Sequence, residues 1–264
     1  MPALEWGDGR KLAWREEGSG PTVVLVHGSP ADSRAWNRVV PFLKDRFRLV
    51  MPDLPGYGAS DPVTDQPKGR AALMGRAVVR LVEHVGPVAV VAGHSYGGLV
   101  ALQAALQAKS GTMGRLVVLE PIFIRGLQLL GDPALAVASA YFDDYVGRVD
   151  AGEQGAVSLM VDFWFGAGAY TRLPEPVRAY LNANAARNVL DVRSSFYDIA
   201  TAEQLAALAI PVMMVHGDRS SDVVAAMGRA LLTLVPNARL TALAGANHGM
   251  LETHPEAVAK LIIG

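Results

Sequence analysis

Residues 93–97 read Gly93-His94-Ser95-Tyr96-Gly97, and the segments on either side decide what this stretch can become. Val88-Ala89-Val90-Val91-Ala92 precedes it, a short apolar run of the kind that forms a fully buried strand. Gly98 to Ala108 follows, rich in Leu, Ala and Gln, which favour helix. A Gly-x-Ser-x-Gly motif thus stands where a strand passes directly into a helix. The spacing has a steric reason. A turn that sharp needs small residues two positions either side of the serine, because side chains there would meet neighbouring backbone. The turn lifts the hydroxyl clear of the sheet, and the helix that follows aims its first N–H groups at the same point. A glycine-rich turn with a solvated serine is the plainer reading of the motif alone. The strand–turn–helix setting favours a nucleophile.

Three more stretches accompany it: His27-Gly28-Ser29-Pro30, the run from Asp53-Leu54-Pro55-Gly56-Tyr57-Gly58 to Ser60, and Asn247-His248-Gly249. In this order, with the serine turn between the last two, they resemble the α/β-hydrolase family. The resemblance implies an α/β fold with a mostly parallel, doubly covered central sheet. In the esterase-like branch it also implies an inserted helical cap. It is specific for the family and silent on the substrate.

The rest of the chain carries the same rhythm. Two short alternating stretches flank Gly7-Asp8-Gly9 within residues 3–16, a hairpin signal. Strands are expected at 22–26, 47–51, 88–92, 116–119, 210–215 and 238–243, most of them short, largely apolar runs. Helices are expected at 33–44, capped by Asp32 or Ser33, and at 69–85, 222–235 and 254–263. Alternating strands and helices argue for a parallel sheet with both faces covered. His27, Asp53, Ser95 and Glu120 all fall just past strand ends, on the edge where such sheets bind ligands. From 122 to 205 the strand signals vanish, glycines break up helical stretches, and aromatics concentrate. That segment is expected to be a mobile helical cap, with residues 1–121 and 206–264 forming the core.

Composition narrows the function classes. The chain has 264 residues, of which 51% are hydrophobic and 19% charged, enough for a sizeable core. A net charge of −1 offers no electrostatic case for nucleic acid or an anionic membrane. Without cysteine there is no disulfide, thiol nucleophile or thiolate metal site. The six histidines are scattered, so no metal is expected. The first residues lack a secretory pattern and no apolar run approaches ~18 residues, so a soluble, cytoplasmic protein is expected. Oligomeric state is not legible.

A serine hydroxyl needs an adjacent base to attack at neutral pH. His248 occupies the place of the catalytic histidine in the family resembled. By the same resemblance His27 shapes the loop beside the serine, and His94 flanks the serine and should point away from it. Asp53 and its glycine loop are expected to support the sheet edge. The oxyanion needs backbone N–H donors already in place. The N–H of Tyr96 is one, and by the His-Gly-x-Pro pattern Ser29 supplies the other. The Ser29 hydroxyl is a candidate third donor. Trp164 and Phe165 are candidate pocket residues, although a packed helical core is the plainer reading of the aromatics there.

The acid that orients His248 stays open. The family usually carries it after the seventh strand, three residues beyond a glycine; counting from Gly217 that position is Ser220. Some members place it after the sixth strand, where this chain has Glu120 before Pro121. Glu120 is the expected acid, Asp218 the alternative, and Asp222 a third candidate.

The reading that follows is a cofactor-free serine hydrolase cleaving a carboxylic ester of a small to medium, largely apolar substrate. A lactonase or carbon–carbon hydrolase with the same triad is the alternative. A slow-turnover ligand-binding receptor is the alternative of another class. Epoxide hydrolases and dehalogenases of this fold use a carboxylate nucleophile, where this chain has Ser95.

Overall fold

Each apolar run becomes a strand whose alternate side chains face opposite layers. The computed structural model describes residues 1–264. Its strands are β1 Ala3–Trp6, β2 Arg10–Glu17, β3 Thr22–Val26, β4 Arg48–Pro52, β5 Val88–His94, β6 Met113–Leu119, β7 Val212–Gly217 and β8 Ala238–Leu243. They form one 8-stranded sheet in the order β1-β2-β4-β3-β5-β6-β7-β8. β2 pairs antiparallel with β1 and β4, and every pairing from β4 to β8 is parallel.

Around the sheet lie α1 Arg70–Val85, α2 Tyr96–Gln107, α3 Ile124–Leu130, α4 Ala134–Asp150, α5 Val157–Phe165 and α6 Ala169–Arg172. They are followed by α7 Glu175–Ala183, α8 Ala185–Phe196, α9 Ala202–Ala206, α10 Asp222–Leu234, α11 Met250–Thr253 and α12 Pro255–Ile263. Val23 and Leu25 of β3 point into one layer, with Trp36, Leu43, Val258 and Ile262. Val24 and Val26 point into the other, with Met74 and Val78 of α1 and Leu99 of α2. The period of two explains why β3 is apolar throughout: both its faces are buried.

One expected helix does not form. Residues 33–44 make two short 3-10 turns, Ser33–Trp36 and Val40–Phe42. Asp32 caps the first, accepting from the Arg34 N–H at 2.9 Å. Pro41 explains the break: it has no N–H to continue an α-helix, and its ring crowds the preceding turn. The apolar residues Trp36, Val39, Val40 and Leu43 are buried all the same.

Between β6 and β7 the chain is helical, from α3 to α9, with no strand. The first of these helices, α3 and α4, pack on α10, while α8 packs on α1 and α2. The apolar core therefore runs without a break from the sheet into this segment, through Tyr96, Ile122, Phe142 and Trp164. No helix is long and apolar enough to cross a membrane.

Candidate active site

Ser95 sits at the junction of β5 and α2 with φ 58° and ψ −128°, a backbone conformation that L-residues rarely hold. The glycines around it are sterically required. A Cβ on Gly93 would lie 2.2 Å from the Gly97 carbonyl oxygen, and one on Gly97 would lie 2.2 Å from that of His27. These are the backbone collisions that the motif's spacing avoids.

The loop after β8 brings His248 to this turn. Its Nε2 lies 2.9 Å from Ser95 Oγ, and its Nδ1 lies 2.7 Å from Glu120 Oε2. Glu120 is fully buried at the end of β6. Its other oxygen accepts from the Gly217 N–H at 2.7 Å and the Ser220 hydroxyl at 2.5 Å. Burial would raise the Glu120 carboxyl, but hydrogen bonds from His248, Ser220 and Gly217 outweigh it and hold it below the usual range. An ionised carboxylate only accepts, so His248 carries its proton on Nδ1 and turns an unprotonated Nε2 to the serine hydroxyl.

The alternative acids lie elsewhere. Asp218 accepts from the Gly245 N–H at 2.8 Å, and Asp222 occupies the first turn of α10. The carboxylate that meets His248 Nδ1 is that of Glu120. Ser220, at the position where a carboxylate is usual, serves here as a donor to Glu120.

The His94 ring packs 4.7 Å from that of His248, and its Nε2 donates to the His248 carbonyl at 2.9 Å. Desolvation and the neighbouring His248 press its pKa from 6.5 down to about 3. The ring is thus a neutral strut under the His248 loop. His27 fits the structural role expected of it: Nε2 accepts from the Leu54 N–H at 2.8 Å, and Nδ1 donates to the Gly28 carbonyl at 2.7 Å. Asp53 accepts from the Ser33 and Ala59 N–H groups, both at 2.9 Å, and so ties two loops of the sheet edge together.

Tyr96 is the first residue of α2, so its N–H has no acceptor within the helix. The Ser29 N–H likewise makes no backbone hydrogen bond. Gly28 lets this loop approach closely, since a Cβ there would lie 3.0 Å from Ser95 Cβ. The Ser29 hydroxyl is not a spare donor. It is engaged by the Tyr57 hydroxyl at 2.9 Å and by Asn188 Nδ2 at 3.0 Å.

Above Ser95 lies a cavity of about 340 Å³, walled by Ile122, Phe142, Met160, Val161, Trp164, Phe165 and Leu181. The Trp164 ring stacks on His248 at 4.7 Å, and Phe165 meets the same ring edge-on at 5.5 Å. Both candidate pocket residues therefore line the cavity. No group of three or more His, Asp or Glu side chains gathers in metal-ligating geometry.

Similarity to known proteins now bears on the arrangement. Residues 23–261 match the model of the alpha/beta hydrolase family. The chain belongs to that family. A pimeloyl-[acyl-carrier protein] methyl ester esterase of Edwardsiella ictaluri is 30% identical over 254 residues, covering 93% of each protein. Among solved structures of alpha/beta hydrolase fold, an esterase from Exiguobacterium antarcticum superposes with a TM-score of 0.77 at 19% identity, covering 99% of this chain and 97% of its own. An N-acyl homoserine lactone degrading enzyme superposes with a TM-score of 0.75 at 22% identity, covering 100% of this chain and 99% of its own.

Several contributors to this hydrolase's site are not legible in sequence. Asn188 and Asp191 are buried in the cavity wall, Tyr57 is buried against Asp191, and Arg70 pairs with Asp191 at 3.0 Å. One signal was available. Asn188, Asp191, Val192 and Ser195 share one face of α8 at spacings of three and four residues, and that buried face is mostly polar. Buried polar residues on a helix have partners: Asn188 meets Ser29 and Tyr145, and Asp191 meets Tyr57 and Arg70, whereas Ser195 turns back to the Val192 carbonyl.

Proposed function

We propose that the protein is a cofactor-free serine esterase, acting on a carboxylic ester whose acyl part is small to medium and largely apolar. The observation that carries this reading is the continuous line Ser95–His248–Glu120, at 2.9 and 2.7 Å, on the floor of an apolar cavity. The esterase name of the Edwardsiella ictaluri relative supports the reaction class.

Ser95 Oγ attacks the ester carbonyl carbon while His248 Nε2 takes its proton. Glu120 stabilises the imidazolium that results. The carbonyl oxygen becomes an oxyanion, held by the N–H groups of Ser29 and Tyr96. The tetrahedral species collapses as the carbon–oxygen bond to the alcohol breaks and His248 returns its proton to the leaving oxygen. Water, activated by the same histidine, then hydrolyses the acyl-enzyme and releases the acid. Residues 122–205 act as the cap that closes over the acyl chamber, with Trp164 and Phe165 against His248 excluding water. The substrate is a small molecule, and neither nucleic acid nor a membrane is invoked.

The test is a panel of p-nitrophenyl esters, lactones and vinylogous diketones, run beside Ser95→Ala. Rapid ester turnover that disappears in Ser95→Ala supports the esterase. Faster turnover of lactones or diketones moves the assignment to those classes, and uniformly slow turnover moves it to a receptor. A fluorophosphonate should label the protein once, on Ser95; labelling that persists in Ser95→Ala rules out this nucleophile.

A further inference from the structure

The Ser29 loop is held by a hydrogen-bond line whose proton positions can be worked out one by one. Arg70 Nε donates to Asp191 Oδ1 at 3.0 Å, and both side chains are buried. The paired Asp191 carboxylate can only accept, so the Tyr57 hydroxyl, 2.5 Å from Oδ2, donates its one proton there. Burial first, and then the Asp191 charge, push the Tyr57 phenol well above its ordinary range, so it keeps that proton. The oxygen of Tyr57 must therefore accept at 2.9 Å from Ser29 Oγ, which spends the single Ser29 proton. Ser29 Oγ in turn accepts from Asn188 Nδ2 at 3.0 Å, and Tyr145 fixes that amide by donating to its Oδ1 at 2.8 Å. Every proton runs one way, from Asn188 to Ser29 to Tyr57 to Asp191.

Two parts of the chain supply this line. Asn188 and Asp191 belong to α8, whereas Ser29, Tyr57 and Arg70 belong to the core. Arg187, also on α8, stacks its guanidinium 5.4 Å from the Tyr57 ring centre. Helix α8 thus grips the Ser29 side chain from both ends, while the Ser29 N–H stays unpaired.

We infer that Tyr57, Asn188 and Asp191 are positioning residues, through which helix α8 fixes the Ser29 loop so that its backbone N–H points at the oxyanion. This rests on the esterase reading, in which that N–H is an oxyanion donor. The Ser29 hydroxyl contributes as a tether and makes no contact with the reacting atoms. Productive geometry at the oxyanion then depends on the insert being docked.

The consequence is a loss confined to the transition state. Outright removal of an oxyanion donor costs roughly 100- to 1000-fold in kcat. Loosening one costs less, about tenfold, with KM unchanged. The variants are Tyr57→Phe, Ser29→Ala and the double variant, each compared with wild type by thermal melting. Ser29→Ala leaves the Arg70–Asp191 pair and the backbone N–H in place, so it remains informative if Tyr57→Phe does not fold.

Kinetics on p-nitrophenyl butyrate are read beside inhibition by a trifluoromethyl ketone of matching chain, whose tetrahedral adduct uses the same donors. The matching ether cannot form an adduct and serves as the control ligand. Expected are an equal fall in kcat and in trifluoromethyl ketone affinity, unchanged ether affinity, and a double variant no worse than either single one. Wild-type kcat in Tyr57→Phe or in Ser29→Ala overturns the inference. So does a loss in the ether affinity equal to that in kcat, or losses that multiply in the double variant. If wild type resists the trifluoromethyl ketone and Ser95→Ala keeps its activity, the esterase reading itself has failed, a result separable from all of these.

Discussion

Glu120 holds φ at 46°, in the left-handed region that a residue with a long side chain rarely occupies. Three donors fix the side chain that this backbone aims at His248. Glu120→Gln should leave the protein folded and lower kcat by up to ~10⁴-fold, because an amide can stabilise the wrong His248 tautomer. Asp218→Asn, which touches only the Gly245 N–H, should stay near the wild-type rate. Steady-state kinetics of the two variants decide between these carboxylates.

His94 supplies a prediction about acid stability. Its folded pKa of about 3 lies below the ordinary 6.5, so between those values the unfolded chain binds a proton that the folded one refuses. Its contribution is therefore complete above pH 6.5 and lost as pH falls toward 3. His27, lowered chiefly by burial, acts in the same direction. Urea midpoints should decline from pH ~7 to ~4, and His94→Asn should decline less steeply.

At the scale of elements, legibility followed the local pattern. β3 ends where its apolar run ends, and α1 follows the periodicity of Leu73, Ala77, Val78 and Leu81. Residues 33–44 carry the same periodicity, but one proline turned them into 3-10 turns. The elbow was readable because its glycines answer to nearby backbone. The Ser29–Tyr57–Asp191 line was not, because it joins residues 134 positions apart through tertiary packing.

The helices of the insert differ in anchorage. α7 buries none of its residues, whereas α8 buries Asn188, Asp191, Ser194 and others. Ser194 Oγ lies 2.7 Å from the Tyr96 hydroxyl, and just beyond α8 Asp198 accepts from Gln103 Nε2 at 2.8 Å. Local opening should thus begin at α7 and spare α8. Hydrogen exchange followed by mass spectrometry should show α7 amides exchanging well before those of α8; matching rates would mean the whole insert lifts as one piece.

At the scale of the molecule, the sheet order has its own consequence. Glu120 stands at the end of β6, so Ser29, Ser95, Tyr96 and Glu120 all precede the insert, and only His248 comes from after it. Residues 151–154, in the loop between α4 and α5, are exposed. A protease cut there would separate Ser95 and Glu120 from His248, yet parallel pairing of β6 with β7 would still hold the fragments side by side. The enzyme is in this sense a two-part kit. A nicked protein should keep its esterase activity, lose it when denaturant parts the fragments, and regain it only when both are refolded together.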